Sequence, residues 1–292
     1  MSRLTLTLLL ASLGTAAGAA ETTAKTHPVT AEKLLAGTSN PSEWLMYGGD
    51  YNNWRFSPLK DINRDNVGKI QAAWMFQTGV PGQLEASPVV ADGVMFLSAA
   101  HNNLWALDAT TGKALWKYSH QLPGDIMICC GPANRGVAIA GDAIFMGTLD
   151  AHLVALDRQT GKVLWNIEMA KHTDGYSATS APLVIDNLVI MGIAGGEYGA
   201  RGFIDAYDVK TGERKWRRYT VPVAGEKGVE TWAGDSWKTG GGPGWALAFM
   251  TRRQKPCSGP PAIPRRTGTA TPAKATTSIP IRRLRWTPAP AN

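Results

Sequence analysis

Three stretches of this chain repeat one another, and that repeat limits the fold more than any other feature. They read ALDATTGKALW ending at Trp116, ALDRQTGKVLW ending at Trp165 and AYDVKTGERKW ending at Trp216, at intervals of 49 and 51 residues. A partial copy, VGKIQAAW, ends at Trp74, 42 residues before Trp116. Each copy predicts a strand, a tight turn carrying Asp and Thr-Gly, and a second strand closed by Trp. Glycine supplies the positive φ such turns demand, and Asp or Thr bonds back to nearby backbone.

Between the copies lie runs such as SPVVADGVMFLSA and APLVIDNLVIMGI, each two short apolar strands around an Asp-Gly or Asp-Asn turn. Four strands per repeat of about 40–50 residues mark β-propeller blades. The recurrent Trp is most simply a packing device between blades. A sandwich would not account for the shared turn-plus-Trp signature.

The first residues read as a secretory signal peptide over 1–19: Arg3, an apolar run from Leu4 to Leu13, and the small residues Ala17-Gly18-Ala19. That run is too short to span a bilayer, and no later run has transmembrane length. Residues 20–41 are expected to be a flexible lead-in. Export implies an oxidising compartment, in which a disulfide persists.

Cys129 and Cys130 are neighbours in a chain of three cysteines. Adjacent α-carbons stand about 3.8 Å apart and ordinary disulfides span roughly 4.4–6.8 Å, so a bond between them closes a strained ring. Two thiols that merely fill space are the other reading. The net charge of +7 is misleading: residues 251–292 hold seven Arg, two Lys and no acid, leaving 21 basic against 23 acidic residues elsewhere. The body therefore has no basic surplus that argues for nucleic acid.

WLMYGGDYNNWRFSPLKDIN, CCGPANRGVA, GIAGGEYGARGFIDAYDVKTGE and WKTGGGPGW occur in that order. Together they resemble the periplasmic quinoprotein methanol/ethanol dehydrogenase family, from about Ser42 to about Trp245. The resemblance implies an all-β fold: an incomplete propeller over 42–248, about four blades of an eight-bladed quinoprotein wheel. Its cofactors would be pyrroloquinoline quinone and a calcium or lanthanide ion.

Carried over by motif, Cys129 and Cys130 would form the strained disulfide against one face of the quinone. Trp245 would wall the other face. Arg135 would bond a cofactor carboxylate, since a guanidinium fork suits one bidentately. Glu85 and Thr179 match cofactor-contacting positions, and Gly195 and Gly196 match backbone contacts. Ala194 stands where many members carry a serine, so one cofactor hydrogen bond is expected to be missing. Glu197 matches the glutamate on the metal, as a hard cation favours carboxylate oxygen.

Beyond Trp245 the family pattern stops. Residues 249–292 are proline-rich, free of acids and without strand alternation, which predicts a disordered tail. Permitted codons in an adjacent frame give a string that resembles the family's continuation, so a frameshift between about Pro243 and Phe249 is expected. Ile263 then stands where the family's next metal ligand, an asparagine, belongs. The catalytic aspartate of the family also has no counterpart, so the resemblance assigns no catalytic residue here. The chain as it stands is expected to fold poorly and not to turn over.

The activity implied is oxidation of a primary alcohol to an aldehyde, with a periplasmic cytochrome c as electron acceptor. A non-enzymatic propeller scaffold, such as an outer-membrane assembly factor, is the alternative, but it needs neither the cysteine pair with Arg135 nor the Glu197 loop.

Overall fold

The computed structural model describes residues 27–245. Twelve strands form three four-stranded antiparallel sheets in sequence order. The first sheet holds β1 (Val89–Ala91), β2 (Val94–Ala99), β3 (Asn103–Asp108) and β4 (Ala114–Ser119). The second holds β5 (Ala138–Ala140), β6 (Ala143–Gly147), β7 (His152–Asp157) and β8 (Val163–Glu168). The third holds β9 (Leu183–Ile185), β10 (Leu188–Gly192), β11 (Phe203–Asp208) and β12 (Arg214–Tyr219). These are consecutive propeller blades. Three blades are complete among the described residues, in keeping with a partial propeller, and the partial copy VGKIQAAW forms a short 3₁₀ turn at Val67–Lys69 and no strand.

The repeat has one local cause in all three sheets. Asp108 Oδ1 accepts hydrogen bonds from the amides of Thr110 and Thr111, and Gly112 at φ 71° returns its amide to the Asp108 carbonyl at 2.8 Å. Asp157 with Gly161 and Asp208 with Gly212 repeat the arrangement. One residue of bulge after Ala106, Ala155 and Ala206 sets Trp116, Trp165 and Trp216 in the same register on the outer strands.

Trp74, Trp116 and Trp165 each dock on the turn of the blade that follows. Trp74 Nε1 donates to the Ala109 carbonyl at 3.2 Å, Trp116 to Arg158 at 3.1 Å and Trp165 to Val209 at 3.2 Å. The rings lie over the turn glycines: a Cβ on Gly161 would stand 2.7 Å from Trp116, and one on Gly212 3.0 Å from Trp165. Gly is thus required twice at these sites, for its φ and for its missing side chain. Trp74 shows that VGKIQAAW keeps the docking function without the strands.

The central strands are largely buried, whereas the outer strands β4, β8 and β12 hold only exposed and half-buried residues. Phe96, Phe145 and Phe203 are almost wholly buried in one core shared by the three sheets. Full burial of such a side chain contributes about 1.5–3 kcal/mol.

The lead-in expected to be flexible is ordered over residues 27–41. Thr30 caps the short helix α1 (Ala31–Ala36), Leu34 is buried, and Val29 pairs with Gly141 through two backbone hydrogen bonds. Buried Arg158 fixes it further, reaching the His27 carbonyl at 2.8 Å and Asp92 at 3.0 Å. That anchor comes from another blade, so no local pattern reveals it. The expected signal peptide, the tail over 249–292 expected to be out of frame, and Cys257 lie outside the described residues. Among those described, no helix is long and apolar enough to cross a membrane.

Candidate cofactor site

The site is built from the loops that lead into the blades. Glu85, Arg135 and Thr179 precede β1, β5 and β9 by only three or four residues. Backbone links these loops in series: the Ser87 amide donates to the Arg135 carbonyl at 3.3 Å, and the Arg135 amide donates to the Thr179 carbonyl at 3.0 Å. Buried Asn134 locks the middle loop by donating to the Gly147 carbonyl at 2.9 Å and accepting from the Gly136 amide at 3.1 Å.

On that frame the Arg135 guanidinium meets Glu85 at 2.8 Å and lies 5.1 Å from the centre of the Trp245 ring. Four of the residues singled out in the sequence therefore meet: Glu85, Arg135 and Trp245 by side chain, Thr179 by backbone. Arg135 already has a carboxylate partner in Glu85.

The second group forms around the β10–β11 connection. Ala194 exchanges backbone hydrogen bonds with Ser177 at 2.7 and 3.3 Å. Gly195 takes φ 116°, and a side chain there would collide with the Gly175 carbonyl. A Cβ on Gly196 would stand 2.8 Å from Pro243. Glycine is needed at both positions to seat the 3₁₀ turn Gly196–Tyr198, which presents Glu197.

Cys129 and Cys130 lie opposite that turn. Their ligand atoms and a carboxylate oxygen of Glu197 all fall within 4.8 Å of one another, and all three residues are exposed. The sulfurs are 2.6 Å apart and both thiols are free, so the disulfide implied by the resemblance is not formed in this structure. The hydrogen bond with Cys130, then burial, then the charges of Glu197 and Cys130 push the Cys129 thiol up to about 12. The two groups share a short stretch of chain, since Arg135 follows Cys130 by five residues and the Gly196 turn rests on the segment that ends at Trp245.

Tyr198 belongs to the site and was missed from the sequence. Burial raises its phenol above the ordinary value, and the charges of Cys129, Cys130 and Glu197 add to that. Its position beside Glu197 was the available signal. Asn134 was also missed, within the quoted GPANRG.

The donor set fits a flat, carboxylate-bearing cofactor: a guanidinium, an indole beside it, and glycine backbone with no room for side chains. A calcium ion takes six to eight oxygens and Glu197 offers a single carboxylate, so a calcium site here would need further oxygens from elsewhere.

A family profile for the glucose/ethanol/alcohol dehydrogenase β-propeller domain that binds pyrroloquinoline quinone matches residues 44–252. Quinoprotein alcohol dehydrogenase PedH of Pseudomonas putida is 40% identical over 235 residues, covering 74% of this chain and 40% of the relative. Lanthanide-dependent methanol dehydrogenase of Methylorubrum extorquens is 35% identical over 236 residues, 73% of this chain and 39% of its own length. The solved quinohemoprotein alcohol dehydrogenase ADHIIG of Pseudomonas putida superposes with a TM-score of 0.73 at 35% identity, over 79% of this chain and 36% of that one. The chain thus spans about two-fifths of the curated relatives it matches. With the blades, the docked tryptophans and the profile in agreement, the chain belongs to the pyrroloquinoline quinone-dependent glucose/ethanol/alcohol dehydrogenase β-propeller family.

Proposed function

We infer that the chain is the N-terminal part, 42–248, of a periplasmic alcohol dehydrogenase that carries pyrroloquinoline quinone and a calcium or lanthanide ion. The observation that carries this reading is the convergence of the Cys129–Cys130 pair on Glu197, within 4.8 Å. When bound, the quinone supplies a carbonyl acceptor for hydride from a primary alcohol, and the cation acts as Lewis acid on that carbonyl.

The chain's own residues hold and shape the site. Arg135 offers its remaining guanidinium donors to a cofactor carboxylate, while Glu85 and the Trp245 ring keep its plane fixed. Trp245 and the two sulfurs would take opposite faces of the quinone, as the family resemblance implies. Gly195 and Gly196 let backbone approach the flat ligand, and Glu197 offers oxygen to the hard cation. Ala194 has no hydroxyl to give. In an oxidising compartment the two sulfurs need to close by roughly 0.5 Å to bond, which makes a rigid wall.

Electrons would pass on to a periplasmic cytochrome c. The chain alone is proposed to bind the cofactor without turnover, because the resemblance assigns neither a catalytic aspartate nor a second metal ligand to it. The test is to load the purified chain with pyrroloquinoline quinone and calcium, desalt it, and assay dye-linked oxidation of ethanol. Retained quinone without dye reduction supports the reading. Quinone lost on desalting contradicts the cofactor assignment, and turnover contradicts the proposed inactivity.

A further inference from the structure

The turn between β6 and β7, Thr148 to Ala151, together with the end of β6 grips both loops that feed the second and third blades. The first loop, 120–137, carries Cys129, Cys130 and Arg135, and the second, 169–182, carries Thr179. The first is held by the Gly147 carbonyl, which accepts from Asn134 at 2.9 Å, and by Asp150, whose Oδ2 accepts from the His120 ring at 2.9 Å. The second is held by the Thr148 and Ala151 carbonyls, which accept from the Ala178 and Met169 amides, each at 2.9 Å. Each loop is thus fixed at its start and again one residue before Arg135 or Thr179. The β2–β3 turn also supports the first loop, as the Asn102 carbonyl accepts from the His120 amide at 3.2 Å. It has no such bond to the second loop among the described residues.

Asp150 shapes the gripping turn. It is 5% exposed, and a buried carboxylate needs partners for both oxygens. Oδ1 accepts from the Thr148 hydroxyl within the turn, while Oδ2 takes His120 from the loop. The His120 ring is itself buried, with its other nitrogen 3.1 Å from the Tyr118 hydroxyl. His152 stands further off, 4.0 Å from Asp150, and bonds Asn166 instead at 2.9 Å. Ala151 is held at φ 61°, a conformation that a residue with a Cβ keeps only where its surroundings fix it. The β2–β3 turn, Ala100–Asn102, has no carboxylate, so a blade does not need one there. We propose that Asp150 is a positioning residue for the cofactor site: by tying Thr148 to His120 it fixes the β6–β7 turn, and the turn sets the two loops in register. The proposal rests on the quinone reading for the identity of the ligand, and on these bonds for everything else.

The test combines two measurements on the full chain: hydrogen exchange read by peptide mass spectrometry without ligand, and equilibrium dialysis of pyrroloquinoline quinone with calcium. Asp150→Ala is expected to speed amide exchange about tenfold or more in both 120–137 and 169–182, with the central strands of the third blade unchanged. His120→Ala is expected to affect 120–137 alone, because the second loop is held by backbone bonds it does not touch. Thr148→Val, which keeps the side-chain volume and loses the hydroxyl, should reproduce the two-loop pattern and carries the test if Asp150→Ala does not fold. Quinone affinity should fall about tenfold or more in Asp150→Ala and largely return in Asp150→Asn, which can still bond both partners. The proposal is overturned if exchange rises equally in all three sheets, if only 120–137 responds to the turn variants, or if folded Asp150→Ala binds quinone like the parent. A parent that binds no quinone counts against the cofactor reading, and the exchange pattern then decides the positioning role by itself.

Discussion

Arg135 reaches Glu85 at 2.8 Å across two neighbouring blade-entry loops, with the Trp245 ring beside it. The pair is partly open to solvent, at 22% and 31% side-chain exposure, so it serves positioning more than stability. Glu85→Gln is therefore expected to change unfolding free energy by less than about 1 kcal/mol, read by urea denaturation. A loss several times larger would show that the pair holds the fold together.

The tryptophan relay makes the opposite prediction. Trp116→Ala removes the bond to Arg158 and the ring over Gly161, and is expected to cost about 3–5 kcal/mol. Trp116→Phe keeps an aromatic ring and loses mainly the hydrogen bond, about 1 kcal/mol. Equal costs for the two, in the same denaturation experiment, would mean that the indole N–H and not the ring decides docking.

Asp150 gives the fold an acid-labile element. Burial alone would raise its pKa, but hydrogen bonds from His120 at 2.9 Å and from Thr148, with the charges of His120 and His152, bring it below the ordinary 3.8. A carboxyl depressed on folding stabilises above its unfolded pKa, and that contribution fades as pH falls through the folded value. Circular dichroism against pH should show the parent losing stability below about pH 4, whereas Asp150→Asn starts less stable at neutral pH and declines less there. Parallel acid curves for the two would contradict this sign.

The raised Cys129 thiol predicts slow chemistry. With its pKa pushed up to about 12, little thiolate exists at neutral pH although the residue is exposed. Alkylation of Cys129 by iodoacetamide, followed by peptide mass spectrometry, should be slow at pH 8 and climb steadily as pH rises. Any stabilisation tied to the neutral thiol is present below the unfolded value and fades as pH climbs through about 12. A plateau already reached by pH 9 would show an ordinary thiol.

Much of the fold was legible because its signals are local. Asp108, Gly112 and Trp116 belong to one short motif, and the same motif recurs at Asp157 and Asp208. The missing strands around Trp74 were not legible, since docking requires only the ring and its N–H, which VGKIQAAW retains. Nor was the order of residues 27–41, which depends on Arg158 arriving from the second blade. At the site, motif resemblance led to Arg135, Glu197 and the cysteines. It could not reveal that Glu85 would occupy Arg135, or that Tyr198 would join the thiols, because both relationships depend on loops meeting in space.

Binding of pyrroloquinoline quinone by equilibrium dialysis, in the presence of calcium, tests the central claim most directly. The account predicts saturable binding of one quinone per chain, weakened about tenfold or more in Arg135→Lys, which loses the bidentate fork, and in Trp245→Ala, which loses a wall. Absence of saturable binding, or unchanged affinity in both folded variants, would contradict a cofactor site formed by these residues.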